Sequence, residues 1–319
     1  MRPAVNCARL AIAAALIFGM GITPTTAQNE PPITFAGTAN DSGGESFYAA
    51  DEGFFSKAGL NVTVQAFNNP GAAVAAVVGG TLTVGSLTIP GIAAAREKGI
   101  PVKIIAPSSI YSSATPTSGI IVLKNSPIKK ASDLNGKTIA TRDLSNLSYY
   151  GANAWIDKNG GDSKTVKWVE VADPQTVAAM HAGRIDAASV SEPALDDALH
   201  AADARLLAPC YDAIGDKFAI AAYIVTEDYA RAHPDTVRKL SAAIIAAGTW
   251  ANKNRAESAK ILEKYSHVPV PPGYARVTYA ERVRPADTQP VLDMLLHYGV
   301  LKAPMRAEDM FATQVPLSP

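Results

Sequence analysis

From Ile33 onward, short runs of β-branched and apolar residues alternate with stretches of helical periodicity. ITFAG, LNVTVQAF, TLTVGS and VKIIAP predict strands, and residues 46–52, 72–78 and 91–98 predict the helices between them. A second round begins near Gly119. GIIVLKN, KTIATRD, VKWVEVA, IDAASVS and ARLLAPC predict strands there, with helices over 149–158, 174–182 and 193–201. After Phe218, FAIAAYIVTED predicts one more strand, and the remainder reads as helix over 234–254, 255–265 and 286–298. Strand and helix alternating in this way predict an α/β fold with mainly parallel sheets flanked by helices.

The two rounds echo each other. VAAVVGGTLTVGS from Val74 and VAAMHAGRIDAAS from Val177 share Val74/Val177, Ala75/Ala178, Ala76/Ala179, Gly80/Gly183 and Ser86/Ser189 at one constant offset. Chance similarity between alanine-rich segments is one reading, and duplication is the other. Under the second, each half carries a helix, a glycine cap and a strand ending in serine. Ligands of open α/β sheets sit beyond the carboxyl ends of the strands. Two facing halves would then form a cleft with a serine on each wall.

FYAADEGFFSKAGLNVTV, from Phe47, is the most informative single stretch. Gly53 ends a helix, Gly59 releases the chain into a strand, and Phe54 and Phe55 are expected to pack the turn between them onto the sheet. The start of that helix, just after 38–42, is the end expected to face the cleft.

The first residues, MRPAVNCARLAIAAALIFGMGITPTTAQ, set Arg2 and Arg9 ahead of an apolar run and small residues at 25–27. This is the pattern of a secretory signal, residues 1–27, with cleavage expected after Ala27 and the periplasm as destination. The run falls short of the roughly 20 residues of a membrane span, an uncleaved anchor being the alternative. Loss of the signal removes two of 29 basic residues and none of 29 acidic ones, leaving a charge of −2. Such a balance argues against nucleic-acid or polybasic membrane partners. Of the two cysteines, Cys7 lies in the signal, so Cys210 stands alone and reads as a small core residue.

No catalytic motif is present. The five histidines lack metal-ligand spacing, and no H-E-x-x-H, C-x-x-C, EF-hand loop or G-x-S-x-G elbow occurs. GGTLTVG has neither the lysine of a phosphate loop nor the order of a dinucleotide site. Neither cofactor nor metal is expected. What remains is polar and placed at strand ends: Thr38, Asn40 and Asp41; Ser86 and Thr88; Ser108 and Ser109; Ser145 and Asn146; Ser189, Ser191 and Glu192. Helix capping explains any one of them; together they outline a pocket of hydrogen-bonding groups. Tyr111 and Phe218, with Phe47, Tyr48, Tyr149 and Tyr150, either line that pocket or pack in the core. Arg142 either pairs with an anion or forms a solvated pair with Asp143.

DEGFFSKAGLNVTV from Asp51, SPIKKASDLNGKTIA from Ser126, GRIDAASVSEP from Gly183 and HPDTVRKLSAAIIAAGTWANKN from His233, in this order, resemble the alkanesulfonate-, taurine- and nitrate-binding branch of the periplasmic solute-binding proteins of ABC transporters. That branch also contains pyrimidine-precursor binders. The resemblance covers nearly all of the mature chain. It implies a type II periplasmic binding protein fold: a first lobe of 28–117 and 219–319, a second of 118–218, and crossing hinge strands at 118–123 and 219–225. It also implies a monomer that captures a small organic solute, an anion such as a sulfonate or aromatic carboxylate, by lobe closure and delivers it to permease and ATPase subunits. Matching positions are Asn40 with its neighbours, Ser86 and Thr88, Ser145 and Asn146, and Ser191 and Glu192. Three positions depart from the branch: Thr83 stands for an acid, Leu144 for a glycine, and Ser191 for an aromatic residue. Two other functions share the fold. One is an enzyme like the pyrimidine synthase of this branch, whose cysteine-rich iron segment Cys210 alone cannot replace. The other is a sensor for a signalling partner.

Overall fold

The first alternating runs fold into β1 (Ile33–Gly37) and β2 (Val62–Ala66), a parallel pair linked through α1 (Glu45–Asp51) and α2 (Phe54–Lys57). The computed structural model describes residues 32–67, 70–200, 203–270, 273 and 275–318, and the expected signal with its cleavage at Ala27 lies outside them. Gly53 adopts φ 72°, the left-handed conformation that closes α1 and turns the chain toward Phe54. Phe55 is 2 % exposed, its ring 5.6 Å from that of Phe35, which meets Tyr223 edge-on at 5.2 Å. The phenylalanine turn therefore packs as its sequence predicts.

The first half continues through α3 (Pro70–Val78), β3 (Gly85–Thr88), α4 (Ile89–Glu97), β4 (Val102–Pro107) and β5 (Ser109–Ser112). The second comprises β6 (Ser118–Leu123), β7 (Thr138–Thr141), α5 (Leu147–Lys158), β8 (Lys167–Glu170), α6 (Thr176–His181), β9 (Ala187–Ser191), α7 (Ala194–His200) and β10 (Ala204–Ala208). The chain then returns through β11 (Lys217–Ala219), β12 (Ala221–Thr226), α8 (Glu227–Ala232), α9 (Pro234–Lys253), α10 (Arg255–Ser266), β13 (Thr278–Tyr279) and α11 (Gln289–His297). Among the described residues no helix is long and apolar enough to cross a membrane.

The sheets are mixed rather than mainly parallel. The second half is one sheet of order β10-β6-β9-β7-β8, in which β9, β7 and β8 run parallel while β6 lies antiparallel to both β9 and β10. In the other half, β12 runs antiparallel between β3 and β4, and β5 lies between β11 and β13. The antiparallel members are the strands that enter or leave a half, since a chain crossing back must reverse direction.

FAIAAYIVTED is two strands, not one. Phe218 pairs with Tyr111 and Tyr223 with Ser86, with the break at Ile220, so the segment serves two sheets in succession. The strands expected to cross, 118–123 and 219–225, are each interior to a different sheet and do not pair with each other. The pair that adjoins the crossings is β5 with β11, and the chain passes between halves at 113–117 and 209–216.

The repeated segments occupy equivalent places: α3 leads through Gly80 to β3, and α6 through Gly183 to β9. In the second, Asp186 accepts the Thr138 amide at 2.9 Å. In the first, where Thr83 replaces the acid, Thr34 Oγ1 accepts the Thr83 amide at 3.0 Å instead. The first half thus keeps a side-chain bond between the two segments, but with the acceptor on β1 instead of at Thr83, ahead of β3.

Candidate functional site

The carboxyl end of β1 leads into a loop whose polar groups are already engaged. Asn40 Oδ1 accepts the Ser42 amide at 3.0 Å, and Thr38 Oγ1 donates to Ser86 Oγ at 3.4 Å. Thr88 caps α4 by accepting the Gly91 amide at 3.4 Å. Asp41 turns away from solvent chemistry into an ion pair. Its Oδ1 accepts from Arg276 Nε at 2.8 Å, Arg276 Nη2 at 2.6 Å and the Tyr279 hydroxyl at 2.9 Å, and its Oδ2 from the Val277 amide at 2.8 Å. Arg276, which the sequence does not single out, also bonds the Tyr48 hydroxyl at 2.9 Å and so ties this loop to α1 and α10.

In the second half, polar groups gather at the carboxyl ends of β7 and β9 and the start of α5. Asn146 caps α5 by accepting the Tyr149 amide at 2.9 Å. Ser145 is exposed, with its amide and hydroxyl both 2.6 Å from Asp143 Oδ1. Ser191 Oγ lies 2.9 Å from Ser148 Oγ, which lies 3.0 Å from the Tyr211 hydroxyl. Glu192 Oε2 accepts the Asp196 amide at 3.0 Å. Burial pushes the Glu192 carboxyl up to about 7, and the negative charges of Asp196, Asp197 and Asp41 add to the rise.

Of the two readings of Arg142, the solvated pair with Asp143 is not formed. Arg142 is exposed, and its charge acts instead on Asp173, opposing the upward shift that burial imposes on that carboxyl. Asp173 Oδ1 and Thr141 Oγ1 are buried without a hydrogen-bond partner in the structure. Neither residue announces itself in the sequence, because an aspartate before proline and a threonine ending a strand are ordinary helix-start and strand residues.

Tyr111 and Phe218 take the core alternative. They are 1 % and 0 % exposed and stack with centroids 5.0 Å apart, and the Tyr111 hydroxyl donates to Asp212. Burial and that carboxylate raise the hydroxyl's pKa. Cys210 is fully buried beside Ser118 and Ser189, and burial pushes its thiol up to about 11, so it is a neutral thiol at physiological pH. Among the described residues no group of three His, Cys, Asp or Glu is placed to hold a metal ion. A separate pocket of about 250 Å³ beside β11, β5 and β13, with Lys217, Arg282, Glu281 and Asp287 in its lining, shares none of the strand-end residues above.

Two α/β halves joined by two passages of chain, with polar strand ends and helix starts on each, define the two-lobed fold of periplasmic binding proteins. The periplasmic aliphatic sulphonate binding protein SsuA of Escherichia coli matches with a TM-score of 0.73 at 17 % identity, over 91 % of this chain and 95 % of its own. The periplasmic nitrate-binding protein NrtA of Synechocystis PCC 6803 matches at 0.70 and 16 % identity, over 89 % and 86 %. The desulfurization enzyme DSZB shares the fold at 0.65 and 16 % identity, over 89 % and 96 %. The chain belongs to the NMT1/THI5-like family, whose model matches residues 44–258. No curated protein matches the sequence.

Proposed function

We propose that the protein is a periplasmic solute receptor of an ABC importer, a monomer that captures a small organic anion between its halves by closing on it. The lobes in this reading are 28–117 with 219–319, and 118–218, and bending falls at 113–117 and 209–216. What supports it is the two-lobed fold, with polar groups at strand and helix ends of each half, Thr38, Asn40, Ser86 and Thr88 on one and Ser145, Asn146 and Ser191 on the other, and with the Asp41 charge near enough to Glu192 to add to the rise in its pKa. Asp41 is balanced by Arg276, and Glu192 is half protonated near neutral pH. An anion therefore does not meet two full negative charges. Helix starts at α4 and α5 contribute about 0.3 to 1 kcal/mol each. Arg142 adds a charge-assisted bond.

Titration calorimetry with alkanesulfonates, aromatic carboxylates, nitrate and pyrimidines tests the reading. Saturable binding of one class is expected; no binding across the panel refutes it. The likeness to DSZB supports an enzyme as the second reading. Recovery of the bound molecule unchanged after incubation would oppose turnover.

A further inference from the structure

Glu45, the first residue of α1, is 1 % exposed, and among the described residues no lysine or arginine pairs with it. Its Oε2 lies 2.8 Å from Ser108 Oγ and 2.9 Å from the Tyr223 hydroxyl. The same two hydroxyls lie 2.7 Å from the Ser42 carbonyl and 2.9 Å from the Gly43 carbonyl. Four oxygen contacts of hydrogen-bond length thus share two hydroxyl protons. An ionised carboxylate supplies none, so two contacts would join acceptors with nothing between them. A proton on Glu45 halves the deficit: the hydroxyls donate to the two carbonyls, the acid donates to one hydroxyl, and a single contact is left without a proton instead of two.

We propose that Glu45 is held as the neutral acid and is a proton-dependent positioning residue for the first wall of the cleft, locking the loop of residues 38–44 through Ser108 and Tyr223. The functional consequence rests on the reading of that cleft as the solute site. The loop it locks carries Thr38, Asn40 and Asp41. The loop is tied together by its backbone: the Gly43 amide donates to the Asn40 carbonyl at 3.2 Å and the Asn40 amide to the Thr38 carbonyl at 2.8 Å, so a displaced Gly43 displaces both residues. The Ser46 amide also donates to the Tyr223 hydroxyl at 3.3 Å, which joins the start of α1 to the same node.

Burial favours the neutral form: it pushes the Glu45 carboxyl up to about 8, with the Asp41 charge adding to the rise, and outweighs the opposing bonds from the residue's own amide, Ser108 and Tyr223. Arg276 is engaged by Asp41. The remaining titratable neighbours, Tyr48, Tyr223 and Tyr279, are phenols whose own pKa values burial raises, so they stay neutral as donors. From α9 the facing residue is Gly248, which carries no charge. Loss of the proton leaves a buried charge without a cation, competing with the Ser42 and Gly43 carbonyls for the same two hydroxyl protons, and the loop must open to hydrate the groups left without a donor.

Amide hydrogen exchange of residues 38–46 in the mature protein, corrected for intrinsic pH dependence, tests the proposal. Wild-type protection is expected to fall about tenfold per pH unit above the titration point. E45Q, whose amide donates but does not ionise, is expected to keep its protection throughout. Affinity for ethanesulfonate, used as the probe anion, should fall over the same interval in the wild type and stay level in E45Q. Parallel exchange profiles in the two proteins overturn the proposal. Should E45Q not fold, a wild-type profile without an inflection above neutral pH overturns it by itself. Absence of ethanesulfonate binding at any pH bears on the solute reading and leaves the exchange result to decide the role of Glu45.

Discussion

Asp41 and Glu192 are both acids at the carboxyl ends of strands, yet packing gives them different chemistry. Asp41 has a guanidinium against it; Glu192 has only amides and like charges. Replacing Arg276 with Met should therefore cost about 3 kcal/mol, because it strands a partly buried carboxylate, and the Asp41→Asn partner change should recover most of it; urea unfolding of both variants measures this. The sign at Glu192 is opposite to that of a salt-bridged acid. Its folded pKa is raised to about 7, so the stability it contributes is complete below its unfolded value of 4.5 and is lost as pH rises through about 7. E192Q should flatten the melting temperature over that interval, and an unchanged profile would show that the shift is not present. Phe55→Ala removes a ring packed on Phe35 and should cost about 3 to 5 kcal/mol by thermal or urea unfolding. Ligand preference should not change, since the ring packs beyond the opposite end of α1 from the loop. A changed preference in folded F55A would place the site at the wrong end of the helix.

At the scale of elements, most helices and strands follow from their apolar patterns: the amphipathic α9 and α11 bury one face, and the central strands β6, β9 and β12, buried on both faces, read as continuous apolar or small-residue runs. The exceptions have tertiary causes. FAIAAYIVTED reads as one apolar strand, but Phe218 and Ala219 pair with β5, while Ala221–Thr226 fills the gap between β3 and β4. Local propensity cannot show such a change of partner, since both portions are β-branched or small and apolar. SSIYS, polar at both ends, folds as β5 because β11 and β13 flank it. The caps are more legible. Asn146 stands before an apolar helical run, and Asn146→Ala should cost about 1 kcal/mol by equilibrium unfolding. The same change should weaken anion binding if the start of α5 faces the solute, which calorimetry on N146A will read.

For the whole molecule, the proposed receptor function makes a prediction about movement of the two halves. Closure about the passages at 113–117 and 209–216 should reduce the radius of gyration when ligand is added, as small-angle scattering will record. No change on saturation would mean that the solute binds without movement of the halves.

The α/β class, most of the element order and the phenylalanine turn after Gly53 were set by local sequence, because periodicity, glycine and capping act over a few residues, whereas Ser86 and Ser189, expected where strands leave the sheet, pair inside β3 and β9 and are buried. Which polar groups remain available to a ligand was decided only by tertiary contacts. Asp41 lost its availability to Arg276, more than two hundred residues away in the chain. Tyr111 and Phe218 stacked into the core, and Glu45, an ordinary acid for a first helical turn, was enclosed by Ser108 and Tyr223. Burial and pairing between distant segments are sums over the whole fold, and those sums determine the charge that each side chain presents to the cleft.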